Sequence, residues 1–142
     1  MLKGIPSILS PELLKILMEM GHGDEIVIGD GNFPASSMAK RLVRCDGHSV
    51  IDLLSAILKL FPLDTFVQKP VALMEVVDKK DKDPEIWDKY KKAINRYEPK
   101  NNEIEYLERF AFYDRSKNAY AIIATGETAI YANIILKKGI IQ

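Results

Sequence analysis

A chain of 142 residues, 47% hydrophobic and 28% charged, has the size of one folding unit and lies outside the compositions of disordered, collagen-like or disulfide-stapled proteins. Twenty basic and twenty acidic residues cancel to zero formal net charge, so no global field draws the chain onto nucleic acid or an anionic membrane, and a neutral ligand fits better. The lone Cys45 excludes an intrachain disulfide and a multi-cysteine metal site, and no run approaches the ~18 apolar residues of a membrane span, which together point to one cytoplasmic domain over residues 1–142.

The first predicted element opens at Ser10-Pro11-Glu12, where serine can cap, proline tolerates the first helical position and glutamate complements the helix dipole. Leu13, Ile16, Leu17 and Met20 then form an apolar stripe at helical spacing, and Gly21 is a natural stop. Glu25-Ile-Val-Ile-Gly29 reads as a buried strand ending just before Asp30. The turn formers from Asp30 to Ser37 predict a loop, with a short helical turn from Met38 to Leu42 and a strand around Val43.

A helix capped at Ser49 follows, keeping Val50, Leu53, Leu54, Ile57, Leu58 and Phe61 on period. Pro70 to Val77 reads as a core strand, and Asp83-Pro84-Glu85 as a second helix start, with Trp87, Tyr90, Ile94 and Tyr97 on one face. A short strand near Ile104, a helix from Arg109 to Lys117, a strand from Ala119 to Ala124 and a last strand from Ile134 to Lys137 complete the chain. Helices alternating with short apolar strands argue for an α/β sandwich with a largely parallel sheet covered on both faces. Ligands of such folds gather at strand carboxyl ends, where Asp30 lies.

Of the two histidines, His22 sits in the glycine-flanked corner Met20-Gly-His-Gly-Asp24, at the other end of the strand that Asp30 terminates. Imidazole is the usual proton shuttle near neutral pH, but a histidine at a helix end also fits a bond to the last carbonyls. His48, between a glycine and a helix cap, reads as a surface residue. Asp30 suits sugar hydroxyls or its own turn backbone, and Arg109 suits a forked hydrogen-bond donor or a surface ion pair. Tyr131-Ala132-Asn133 concentrates neutral groups that donate and accept, as a polyhydroxylated ligand needs, though a capping Asn and a packed Tyr explain it equally. No metal-ligand spacing and no glycine-rich phosphate loop occurs.

Leu2-Lys-Gly-Ile-Pro, Ser10-Pro-Glu-Leu-Leu, Met20-Gly-His-Gly-Asp24, Asp30 with Asn32-Phe-Pro-Ala35, Thr125-Gly-Glu127 and Tyr131-Ala-Asn-Ile-Ile-Leu-Lys-Lys-Gly139 together resemble the RbsD/FucU family along nearly the whole chain. The resemblance implies a three-layer α/β/α fold and cofactor-free mutarotation of a free monosaccharide. It also implies a homo-oligomer, typically a decameric ring with its sites at subunit interfaces. On that resemblance His22 matches the proton donor, while Asp30, Tyr131, Ala132 and Asn133 match the sugar-binding set. Arg109, within Arg-Phe-Ala-Phe-Tyr113, is similar to the fucose side of the family, where the ribose pyranase side has histidine. Ribose pyranase and a non-catalytic sugar-binding protein remain the alternatives.

Overall fold

The computed structural model describes residues 1–142, with helices α1 (Pro11–Glu19), α2 (Ala35–Met38), α3 (Val50–Leu58), α4 (Glu85–Tyr97) and α5 (Arg109–Asn118). Its strands are β1 (Glu25–Gly29), β2 (Leu42–Cys45), β3 (Val71–Met74), β4 (Ile104–Leu107), β5 (Ala121–Thr125) and β6 (Ile134–Lys137). Local chemistry sets most of these boundaries. Ser10 Oγ accepts the Leu13 N–H at 3.1 Å and starts α1, and Ser49 does the same for α3 through Asp52 N–H at 3.3 Å.

The strands form one sheet in the order β2-β5-β1-β6-β3-β4. The β2–β5, β5–β1 and β3–β4 pairs are parallel, and β6 runs antiparallel to both β1 and β3. Successive side chains of a strand point to opposite faces, so β1 feeds two cores. Ile26 and Ile28 pack with Leu13, Leu54, Ile57 and Ile94 under α1, α3 and α4. Val27 packs on the other face with Phe33, Ala35, Phe112 and Ile122 under α2 and α5. Helices therefore cover both faces of a mostly parallel sheet, as the alternating pattern predicts.

Three local expectations shift. The short helix lies at Ala35–Met38 rather than Met38–Leu42, because Pro34 presents the carbonyl that the Met38 N–H needs while the Arg41 carbonyl oxygen already accepts the Ile122 N–H of β5. The strand expected over Pro70–Val77 stops at Met74, where pairing with β4 ends, and Glu75 to Val77 leave the sheet. At α4 the expected cap is not made by a side chain, since Pro84 occupies the N-cap position and Asp83 makes no capping bond.

This topology sorts the loops into two groups. The carboxyl ends of β1, β3, β4 and β5 and the amino end of antiparallel β6 emerge along one edge, which gathers Asp30, Val77, Arg109 and the Tyr131 segment. The opposite edge carries the α1–β1 corner with His22 and the chain after β6.

Candidate active site

Asp30, Arg109, Tyr131 and Asn133 line one pocket of about 300 Å³ at the first of these edges, together with Phe33 and Tyr113. Asp30 is nearly buried, and its backbone N–H donates to Asn133 Oδ1 at 2.8 Å, which locks the start of the β1 loop to the segment before β6. Its carboxylate accepts the Asn32 N–H at 3.0 Å. Burial pushes the Asp30 carboxyl above its ordinary value and the nearby Glu127 carboxylate adds to that, against amides of Asn32, Ala132 and Phe33 that pull the other way. Arg109 is the exposed first residue of α5 and lines the pocket, with its guanidinium over the Phe110 ring at 4.7 Å from the centroid.

Tyr131 is the only non-glycine residue with positive φ, at 54°. Its hydroxyl accepts the Val77 N–H at 3.3 Å, and Ala132 is fully buried, so Ala132 contributes backbone rather than side-chain surface to the site. The pocket thus offers one carboxylate, one guanidinium, two phenols and the amides of Asn32 and Asn133 against an apolar wall of Phe33, Met74, Val77 and Ile130. Neutral and charged donors and acceptors beside an apolar patch suit a monosaccharide, whose hydroxyls need fixed partners and whose C–H faces need apolar contact.

His22 is not in this pocket. It precedes β1, whereas Asp30 follows it, and a five-residue strand spans roughly 16 Å. At its own edge the imidazole Nε2 lies 3.0 Å from Asp64 Oδ1, and the Phe66 ring packs on it with centroids 5.1 Å apart. The His22 side chain is 42% exposed and that of Asp64 only 4%. Burial pushes the Asp64 carboxyl up, but the Phe66 amide, the His22 side chain and Lys137 outweigh it, and the net position is below the ordinary carboxylate value. An ionised Asp64 can only accept, so the hydrogen of the shared bond sits on Nε2. Asp64 therefore orients a solvent-facing imidazole.

Local sequence singles out neither Asp64 nor Tyr113. Asp64 is 42 positions from His22, in a segment whose only signal is Pro62 ahead of it. It arrives beside the imidazole because the Leu63–Lys138 bridge and the Asp64 N–H to Lys137 bond tie that segment to the end of β6. His48 is exposed, as its context predicts.

The model of the RbsD / FucU transport protein family matches residues 3–141. An L-fucose mutarotase of Actinobacillus pleuropneumoniae is 49% identical over 140 residues, which cover 99% of this chain and 97% of that protein. The crystal structure of the fucose mutarotase of Streptococcus pneumoniae in complex with L-fucose superposes with a TM-score of 0.95 at 53% identity, covering 99% of this chain and 100% of that one. Bacillus subtilis RbsD complexed with D-ribose is more distant, with a TM-score of 0.71 and 28% identity over 94% of this chain and 95% of that one.

Proposed function

The chain belongs to the RbsD / FucU family, and from that membership we propose that it is an L-fucose mutarotase, an isomerase that interconverts the α and β anomers of the free sugar. The observation that carries this reading is the near-complete likeness to the fucose mutarotase bound to L-fucose. The reaction removes a proton from the anomeric hydroxyl and delivers one to the ring oxygen. The C1–O5 bond breaks as C1=O1 forms, C1 turns about the C1–C2 bond, and O5 recloses on the other face with both protons returned. Positioned acid–base groups contribute ~10²–10⁴-fold to such proton transfers, which suffices for a reaction that water already supports.

In this reading His22 is the proton donor and Asp64 its positioning residue. Asp30, Arg109, Tyr131 and Asn133 hold the sugar hydroxyls, and the buried Ala132 backbone fixes the segment between them. The two groups occupy opposite edges of one chain, so we place the working site between chains of a homo-oligomer, one copy giving His22 and the next the Asp30 pocket. Large apolar side chains around His22 favour this: Leu2 is 71% exposed, Met18 83% and Ile141 84%, and they line with His22 a groove of about 720 Å³. A decameric ring working in the cytoplasm is the assembly and setting we assign, and no helix is long and apolar enough to cross a membrane.

Exchange NMR between the two anomeric protons of L-fucose tests the activity, with D-ribose run alongside. The expected result is faster anomeric exchange of L-fucose with the parent protein and a loss of ~10²–10⁴-fold in the enzymatic term for His22→Ala. Unchanged exchange on adding the parent protein would leave a sugar-binding protein without mutarotase activity.

A further inference from the structure

We propose that Trp87 and Tyr90, on the buried face of α4 and outside the pocket, are positioning residues for sugar binding that hold Tyr131 in its left-handed conformation. The inference rests on the mutarotase reading and deepens it, since it concerns how the same pocket is kept in binding shape.

An aromatic residue does not adopt φ of 54° on its own, because its Cβ crowds the following carbonyl; it does so where the surroundings over-determine it. Here the determinants are identifiable. Trp87 Nε1 donates to the Tyr131 carbonyl oxygen at 2.8 Å, and Tyr90 Oη donates to the next carbonyl, that of Ala132, also at 2.8 Å. Trp87 and Tyr90 are three positions apart, so they stand one above the other on the same helix face. Both are buried, at 2% and 0% exposure, and each donor therefore loses its only compensation if the carbonyl it serves turns away. Burial and the carboxylates of Glu127 and Asp30 push the Tyr90 hydroxyl well above its ordinary value, which keeps it a donor.

Downstream, Asn133 Oδ1 accepts the Asp30 N–H at 2.8 Å, so three consecutive residues are held at once. With the backbone fixed in this way, the Tyr131 ring lines the pocket and its hydroxyl accepts from Val77, which leaves the phenolic proton for a sugar oxygen. Release of the two carbonyls would let Tyr131 relax toward ordinary φ and swing that hydroxyl out of register with Asp30.

The test is a double-mutant cycle on L-fucose affinity, by titration calorimetry, with the parent, Trp87→Phe, Tyr131→Phe and the double variant. Trp87→Phe keeps an aromatic ring and removes only the indole donor. We expect it to weaken L-fucose binding about tenfold, the worth of one well-placed hydrogen bond, raising KM far more than it lowers kcat. Added to Tyr131→Phe it should cost much less than tenfold, because both act through the same hydroxyl. Parent-like affinity of Trp87→Phe, or a full tenfold loss repeated on the Tyr131→Phe background, overturns the proposal. Should Trp87→Phe not fold, Tyr90→Phe, which loses a single hydroxyl, enters the same cycle with the same expectations. A parent that binds no L-fucose at all removes the mutarotase reading, and this inference with it, whereas a parent that binds beside an unaffected variant removes only the inference.

Discussion

Two buried carboxylates, Asp30 and Asp64, have their acidities moved in opposite directions, and each direction follows from what surrounds the group. At Asp64 the native state favours the ionised form, so it binds fewer protons than the unfolded chain as pH falls through the ordinary carboxylate value of 3.8. The stability it contributes is present above that value and is lost progressively below it. Asp64→Asn should therefore flatten the acid limb of a stability–pH profile and lower mutarotation at neutral pH, with the binding of L-fucose changed little. At Asp30 burial favours the neutral form, so the native state binds more protons and stability falls as pH rises from 3.8 through the raised native value. Asp30→Asn should be more stable than the parent at neutral pH while binding L-fucose more weakly, checked by thermal melts and calorimetry across pH. A parent that loses no stability relative to this variant over that window would contradict the assigned direction. His22 and Asp30 are legible in the sequence because each stands at a glycine-marked end of an obvious strand. Asp64 is not legible, since nothing local distinguishes a carboxylate that tertiary pairing will bury from one that stays in water.

Element boundaries divide by the same criterion. The caps at Ser10 and Ser49 are local chemistry and were readable; Ser10→Ala should cost about 1 kcal/mol in denaturant unfolding by releasing the Leu13 N–H. The end of β3 and the place of α2 are decided by pairing with distant strands, which no window of sequence contains. The turn after β5 is set by contact rather than by turn type: a Cβ at Gly126 would collide with the Asp46 carbonyl oxygen, where backbone cannot give. Gly126→Ala should cost about 2–3 kcal/mol and disturb the loop that leads to Tyr131, visible as reduced sugar affinity together with a lower unfolding midpoint. The strain at Tyr131 was invisible in its sequence context, which reads as an ordinary turn. It follows instead from Trp87 and Tyr90, more than forty positions away.

At the scale of the molecule, the antiparallel β6 matters most. It brings the Tyr131 segment to the edge where β1 ends, and delivers Lys138 to the edge where β1 begins. There the Lys138 ammonium donates to the carbonyl oxygens of Leu17 and Met20 and closes the end of α1 beside His22. The sheet therefore holds His22 and the Asp30 pocket apart within one chain. Alternation of helices and apolar strands makes the layered fold legible, but assembly is a property of surfaces, and exposed apolar side chains stand at both ends of the sheet, Leu2, Met18 and Ile141 beside His22 and Val77 and Ile130 at the Asp30 pocket. The most direct measurement co-expresses His22→Ala with Asp30→Asn, purifies the mixed assembly and records anomeric exchange of L-fucose by NMR. If neighbouring chains share each site head to tail, about a quarter of the sites in a random mixture pair an intact His22 with an intact Asp30, and activity returns to about that fraction of the parent's. A mixed assembly that stays as inactive as the two single variants would contradict a site shared between chains.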